Sequence, residues 1–134
     1  GDYLINITDA NGCTFDSLVH IMAPPPLLID SITSTNIVCF GDSSGIINVF
    51  ASGGTPDYNF GIVGVDTNTT GVFTNLPSGA YFIGVFDMNG CDIQEMITLT
   101  EPPDLIPSIV AIQNLSCFND SSGQVEISSS GGVS

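Results

Sequence analysis

The four cysteines are the most reactive side chains in the sequence. They are Cys13, Cys39, Cys91 and Cys117, and the spacing from Cys13 to Cys91 is the same as that from Cys39 to Cys117. Regularly spaced cysteines in small modules are typical of extracellular proteins, whose oxidising surroundings favour disulfide bonds. All four are therefore disulfide candidates. The spacing leaves three states open: a bond between Cys39 and Cys91, bonds to cysteines outside these residues, and free thiols.

Acidic turns are the second set of residues with chemical potential. Carboxylate and amide oxygens on turns suit Ca²⁺, which prefers hard oxygen ligands. The segment DTNTTG has the D-x-N-x-x-G opening of a calcium loop, although Pro77 stands where the closing glutamate would be. Such residues also form Asx-turns and caps without any metal. Ca²⁺ is the one cofactor predicted, and its predicted ligands are Asp42, Asp66, Asn68 and Asp87.

Residues for catalysis are scarce. The only histidine is His20, and residues 26–102 contain none. A Ser–His–Asp triad needs a base in each active unit, so serine-rich turns alone do not predict a hydrolase. We predict no catalytic residues and expect that the chain is not an enzyme.

The charge of the chain excludes two classes of partner. Its 134 residues include 14 Asp and Glu but no Lys or Arg, which gives a net charge of −14. Proteins that bind nucleic acid neutralise phosphates with Lys and Arg, and lipid-binding patches need the same residues. We therefore expect no nucleic-acid partner. No apolar run approaches the roughly 18 residues of a membrane span, so we expect no membrane insertion.

The sequence aligns with itself when it is shifted so that residue 1 lies on residue 79. Residues 1–56 align without a gap on 79–134, and 20 of the 56 pairs are identical. The aligned pieces include GDYLINITDANGC with GAYFIGVFDMNGC, and CFGDSSG with CFNDSSG. A fixed long period is the signature of an array of similar modules. We predict the end of one module at 1–25, a complete module at 26–102 and the start of a third at 103–134, within a longer array.

Each predicted module is all-β. Around position 83, apolar Tyr81, Ile83 and Val85 occupy alternate positions, which marks a strand with one buried face. Breakers such as DSSG, SGGTP, NLPSG and DMNG separate the runs of this kind. About seven strands in each module predict tandem immunoglobulin-like β-sandwiches. The predicted strands are 27–35, 45–52, 57–63, 71–76, 80–87 and 92–100, with a short one near 65–69. The predicted core comprises Ile47, Val49, Phe60, Leu76, Tyr81, Ile83, Val85, Ile93 and Ile97.

Strand alternation also places four apolar side chains on the outside of the central module. They are Ile46, Phe50, Phe82 and Phe86, whose counterparts in the flanking modules are mostly polar. Exposed apolar patches mark interfaces, so these residues are candidates for lateral self-association between chains. The alternatives that need no interface are a shifted strand register and cover by a neighbouring loop.

The order of the motifs resembles a known family. CFGDSSGIINV at 39–49 is followed by SGGTPDY at 52–58 and by LPSGAYFIGVFDMNGC at 76–91. Together they resemble the SprB-type repeat of giant surface adhesins in gliding bacteria, which leave the cell by the type 9 secretion route. The resemblance implies an extracellular location on the cell surface. It also implies that the O-glycosylation signal of such bacteria, Asp followed by Ser and an aliphatic residue, applies at Ser17 and Ser31. Ser31 is the better candidate, because Ser17 aligns with an inward position.

The repeat and the resemblance predict a stalk or spacer segment of a large secreted adhesin. Short proline-rich linkers, APPP at 23–26 and EPPD at 101–104, would limit bending between modules. The expected partners are neighbouring repeats and other copies of the chain, with surface polysaccharide or a substratum bound through regions outside these residues. The alternative is an array of carbohydrate-binding modules of a secreted polysaccharide-degrading enzyme, which would need exposed Tyr or Trp on a flat face.

Overall fold

The computed structural model describes residues 1–133, and the regular structure in that range consists of eleven β-strands. This confirms the predicted all-β class. Residues 1–133 contain no helix with the length and apolar character that crossing a membrane would require. The strands are β1 Asp2–Thr8, β2 Thr14–His20, β3 Leu28–Thr35, β4 Gly45–Ser52, β5 Asn59–Ile62, β6 Asp66–Asn68, β7 Val72–Leu76, β8 Gly79–Phe86, β9 Asp92–Leu99, β10 Ile106–Gln113 and β11 Gln124–Ser130.

Seven strands, β3 to β9, form two antiparallel sheets that share one core. The first sheet has the order β3-β4-β7 and the second the order β6-β5-β8-β9. Both sheets contribute side chains to a single buried cluster. Two sheets that pack face to face over their inner side chains make a β-sandwich. The buried apolar residues are Ile37, Ile47, Val49, Phe60, Ile62, Phe73, Leu76, Tyr81, Ile83, Val85 and Leu99.

Seven of the nine predicted core residues are buried. The other two, Ile93 and Ile97, are half-buried and pack against the cluster. They lie on β9, which is an edge strand of its sheet, so one flank of each side chain stays open to solvent. The seven buried residues are Ile47, Val49, Phe60, Leu76, Tyr81, Ile83 and Val85.

The short strand predicted near 65–69 exists as β6, but it extends the sheet that contains β5. In the constant-type immunoglobulin order the short strand would pair with the strand that follows it. Here Phe60 pairs with Asn68, and the N–H of Val65 donates to Ile62 O at 3.0 Å, which closes a tight turn. Because this turn is so short, the chain returns alongside the strand it has just left. The immunoglobulin-like assignment of the sandwich stays a prediction.

Two hairpins flank the sandwich and repeat its strand pairings. In β1–β2, Asp2 pairs with His20, and in β8–β9 their counterparts Ala80 and Thr98 form the equivalent pair. The hairpin β10–β11 likewise begins with the counterparts of the first β3–β4 pair. One local difference is the β-bulge, which falls at Asp30 in β3 but two positions later in β10. Equal register one period apart is what tandem modules require.

Candidate functional site

Each end of the sandwich receives a linker, and the candidate residues gather there. At the N-linker end, where the chain arrives from residues 23–27, the N–H of Gly54 donates to Pro25 O over 2.9 Å. At the C-linker end the chain leaves through residues 101–105, directly after β9. The strands β4, β8 and β9 run from one end to the other, and their eight residues span roughly 26 Å.

Asp87 organises the N-linker end. It opens the β8–β9 turn (87–91), and it is only 6% exposed. Its Oδ1 accepts the backbone N–H groups of Asn89 at 2.9 Å and Cys91 at 2.8 Å. Its Oδ2 accepts the N–H of Thr55, in the loop that joins the two sheets, at 2.9 Å. The carboxylate therefore fastens the turn to the β4–β5 loop.

These hydrogen bonds also set the ionisation of Asp87. Backbone N–H donors, first of all that of Thr55, hold the pKa of its carboxyl below the ordinary value. Donors that point at a carboxylate favour its charged form. Because the folded pKa is lowered, the stabilisation is fully present above the unfolded pKa of about 3.9. It is lost as the pH falls through the lower, folded value.

Asp87→Asn should destabilise the sandwich at neutral pH. The amide offers one acceptor oxygen in place of two, so an N–H group that Asp87 now binds must face the new NH₂ group. In urea unfolding, the difference in stability between parent and variant should be largest near pH 7. It should shrink as the pH falls below about 4, through the lowered folded pKa at which the parent carboxylate becomes protonated. The matched control is Asp92→Asn, at an exposed neighbouring position. Equal losses for the two variants at pH 7 would contradict this role of Asp87.

The β1–β2 turn (9–13) has the same geometry as the β8–β9 turn. Asp9 Oδ1 accepts the N–H of Asn11 at 2.9 Å and that of Cys13 at 2.8 Å. The N–H of each turn's aspartate donates to the carbonyl of its cysteine at 2.9 Å. The turn is thus one unit of the repeat.

The β3–β4 loop (36–44) caps the C-linker end. Ile37 is buried, and its N–H donates to Thr100 O at 3.0 Å. The N–H of Gly41 donates to Glu101 Oε2 at 2.7 Å. The beginning of the C-terminal linker is therefore bound by the loop that contains Cys39.

Each linker accepts the same hydrogen bond, from the Gly-Gly loop that follows the next two strands. The N–H of Gly54 donates to Pro25 O, the N–H of Gly132 donates to Pro103 O, and both distances are 2.9 Å. The second pair consists of the counterparts of the first pair in the sequence repeat. Each linker is therefore held against the protein surface, and this contact restricts its motion beyond the restriction that its prolines impose.

Glycines make this close approach feasible. Gly53 and Gly131 have φ values of 73° and 79°, in the left-handed region that glycine adopts without strain. A Cβ on Gly53 would lie 1.9 Å from Pro26 O, and one on Gly131 would lie 1.8 Å from Asp104 O. The first glycine of each recurring Gly-Gly pair is thus needed for the linker contact.

The four predicted calcium ligands all accept backbone N–H groups. Asp42 and Asp66 each accept the N–H of the next residue, at 2.7 and 2.8 Å. Asn68 Oδ1 accepts the N–H groups of two residues in its turn, and Asp87 binds as described above. Within residues 1–133, no three His, Cys, Asp or Glu side chains gather as metal ligands would. Calcium binding stays a prediction.

The cysteines of the central module lie at opposite ends. All four cysteines are unpaired and exposed in the described chain. Cys91 directly precedes β9, whereas Cys39 lies in the loop bonded to residues 100–101, directly after β9. The strand between them spans roughly 26 Å, but the Cα atoms of a disulfide lie within about 7 Å of each other. This arrangement does not bring Cys39 and Cys91 together, and the pairing of the cysteines stays a prediction.

The predicted glycosylation sites differ in accessibility. Ser31 is exposed on β3, opposite Phe50 of β4. Ser17 is half-buried on β2, opposite Ile5. Modification of either serine stays a prediction, and the exposure agrees with the preference for Ser31.

The four predicted interface residues divide between two faces. Phe82 and Phe86 lie on the outside of the four-stranded sheet and are 54% and 42% exposed. Phe50, which is 55% exposed, and the half-buried Ile46 lie on the other sheet. They therefore form two patches, and binding of another chain at either patch stays a prediction.

The central module offers no exposed tyrosine for stacking on a sugar. Tyr58 is half-buried, and its hydroxyl donates to Gly53 O at 2.6 Å. Tyr81 is buried, and its hydroxyl donates to Pro77 O at 2.7 Å. Both side chains stabilise the module itself.

Sequence reasoning missed two residues that hold these ends together. Thr55 binds the β8–β9 turn through its N–H, and Glu101 binds the β3–β4 loop through its carboxylate. Every residue type except proline has a backbone N–H, so the identity of Thr55 did not indicate this hydrogen bond. The available signal was the Gly-Gly pair that recurs after each proline-rich linker, at 53–54 and again at 131–132.

The family comparison agrees with this geometry. The SprB repeat matches residues 31–67 and 109–134. The chain carries two SprB repeat segments. Residues 31 and 109 are counterparts in the alignment of the chain with itself, so the two matches begin one period apart, and the resemblance is thereby confirmed. SprB repeats form a structural repeat family found in secreted cell-surface proteins, and the two matches indicate a repeat region of the surface-adhesin type. No curated protein and no solved structure matches the chain.

Proposed function

We propose that the chain is an extracellular spacer segment of a surface adhesin, built from modules at 1–25, 26–102 and 103–134. The repeated linker bond, Pro25 to Gly54 and Pro103 to Gly132, carries the proposal. A free linker samples many directions, whereas a linker bound to the following loop gives successive modules one relative placement. Such modules keep their spacing under thermal motion, as a stalk requires.

The charge of the chain supports an extended array. The net charge is −14, and the one cationic candidate, His20, pairs with Asp2 on the neighbouring strand. Like charges on neighbouring modules repel one another over a distance of about 8 Å at physiological salt. Repulsion of this kind opposes folding of the array back onto itself. The attractive contacts that remain are those of the linkers.

The spacer needs no catalytic residue and no cofactor. Attachment to polysaccharide or to a substratum would reside in other regions of the adhesin, and the Phe82–Phe86 face would add lateral contacts between chains. The carbohydrate-binding alternative has no support from the comparisons. The internal bonds of Tyr58 and Tyr81 also argue against it.

Distances between equivalent cysteines test the spacer function. Two variants keep one pair each, Cys13 with Cys91 or Cys39 with Cys117, and have serine at the other two positions. Spin labels on these exposed thiols report one module repeat across the first junction and across the second. Pulsed electron paramagnetic resonance should give two narrow distributions with the same centre, on the order of 35 Å for one strand length plus a linker. Broad or unequal distributions would show that the linkers act as hinges.

A further inference from the structure

We propose that Cys39 forms a disulfide bond across a module junction, with the cysteine that is the counterpart of Cys91 in the following module. The inference deepens the proposed function and rests on it, because it needs a complete following module. It assigns the repeated cysteines to the covalent reinforcement of a stalk.

Cys39 faces the following module in this structure. It lines a cavity of about 530 Å³ at the C-linker end, together with Val38 and Phe40. The opposite wall includes Leu105, Gly132 and Val133, which follow the linker. Pockets of this volume hold drug-sized molecules, so the cavity has room for the side chains of a tight turn.

The repeat identifies that turn. Gly132 and Val133 are the counterparts of Gly54 and Thr55. In the central module these two positions adjoin the β8–β9 turn: Thr55 binds Asp87, and a Cβ on Gly54 would lie 2.7 Å from Asp87 Oδ2. The equivalent turn of the third module must therefore rest on Gly132 and Val133, at the wall of the same cavity.

The cysteine of that turn would then lie beside Cys39. In the central module two hydrogen bonds join Cys91 to Asp87. The N–H of Cys91 donates to Asp87 Oδ1, and the N–H of Asp87 donates to Cys91 O. Cys91 is thus held next to the residue that touches the β4–β5 loop. The same arrangement one module later brings an exposed thiol to the cavity that Cys39 lines.

The cavity walls also carry apolar surface that a docked turn would cover. Val38, Phe40, Leu105 and Val133 are 66%, 54%, 62% and 79% exposed. An exposed apolar cluster at the C-linker end suits burial by the next module.

Bond formation removes one hydrogen from each of the two thiols, and their sulfur atoms join. The two electrons and two protons pass by thiol–disulfide exchange to a disulfide oxidant, which is reduced to two thiols. The same scheme applies to all four cysteines of this chain. Cys13 and Cys91 would bind cysteines of preceding modules, and Cys39 and Cys117 those of following ones.

The test completes the third module. The chain is extended at its C terminus by a second copy of residues 57–104, since Ser134 is the counterpart of Pro56. After incubation with oxidised and reduced glutathione, peptides are mapped without reduction. Pepsin is the suitable protease, because the chain has no Lys or Arg for trypsin and acid suppresses thiolate exchange. The expected product has Cys39 bonded to the second copy of Cys91, with the other three thiols open to alkylation.

Matched serine variants separate the pairings. Cys39→Ser should abolish the cross-link, whereas Cys91→Ser and Cys117→Ser should leave it intact. The parent chain of 134 residues provides a further control, because it should keep four alkylatable thiols under the same conditions. Abolition of the cross-link by Cys91→Ser would assign the bond to the central module and overturn the proposal.

A second extended chain controls for the case in which the added segment of the first one does not fold. It consists of residues 1–104 followed by a second copy of residues 27–104, so its third module has the sequence of the central one. If the third module unfolds cooperatively in denaturant and Cys39 still stays alkylatable, the disulfide inference fails while the spacer function stands. If the third module is unfolded in both extended chains, the module assignment itself fails, and the proposed function fails with it.

Discussion

Ile83→Ala should cost the sandwich about 2–5 kcal/mol of unfolding free energy. Ile83 lies at the middle of β8, is fully buried, and belongs to the cluster that both sheets share. Its truncation removes apolar contacts and leaves a cavity between two packed layers. A small domain is stable by only about 5–15 kcal/mol, so urea unfolding should show a large shift of the midpoint.

The neighbouring residue provides the matched control. Phe82 points to the other side of β8 and is 54% exposed, so Phe82→Ala should cost less than about 1 kcal/mol. A slip of the strand by one residue would exchange the two faces. The larger loss would then come from Phe82→Ala, and that result would contradict the strand register described here.

The long strands were predictable because the alternation of apolar residues and the turn residues at the strand ends indicate the same limits. The predicted limits 45–52 are those of β4, and 80–87 differs from β8 by one residue at each end. Eight residues give an alternation enough periods to be recognised. The glycine-rich turns on either side fix the ends of both strands.

Three of the four core residues that were missed lie where alternation is too short to be recognised. Ile62 and Phe73 are buried, but their strands β5 and β7 have only four and five residues. Ile37 is buried in a loop, where no periodicity applies. Leu99 is the last residue of β9 and is buried at the C-linker end.

The site was less predictable than the fold, because its key groups belong to the main chain. Asp87 was noted as an oxygen ligand, yet its partners are backbone N–H groups. The cysteine pairing could not be decided from spacing, because it depends on which end of the sandwich each turn occupies. The hydrogen bonds of Thr55 and Thr100 decide that point.

Gly53→Ala should destabilise the first junction by more than backbone strain alone. An alanine at φ 73° costs about 1–2 kcal/mol for its left-handed backbone. Its Cβ would also lie 1.9 Å from Pro26 O, so the linker backbone must move. Such overpacking typically adds about 1–3 kcal/mol. The measurements are urea unfolding and the Cys13–Cys91 label distance, whose distribution should broaden.

Gly64→Ala is the control for backbone strain alone. Gly64 has φ 78°, and nothing lies within 4 Å of its added Cβ. This variant should show the loss of about 1–2 kcal/mol for the left-handed backbone, and it should leave the label distance unchanged. If the two alanine variants lose equal stability and neither alters the distance, the linker contact at Gly53 has no role in module placement.

The most direct test of the spacer is its length as modules are added. Inserting one, two or three further copies of residues 27–104 after Asp104 keeps every junction natural in sequence, because Leu27 and Leu105 are counterparts. Small-angle X-ray scattering should show that the maximum dimension grows by the same increment with each copy, and that this increment equals the Cys13–Cys91 label distance. Increments that shrink with each added copy, as the square-root growth of a flexible chain requires, would contradict a spacer of fixed module spacing.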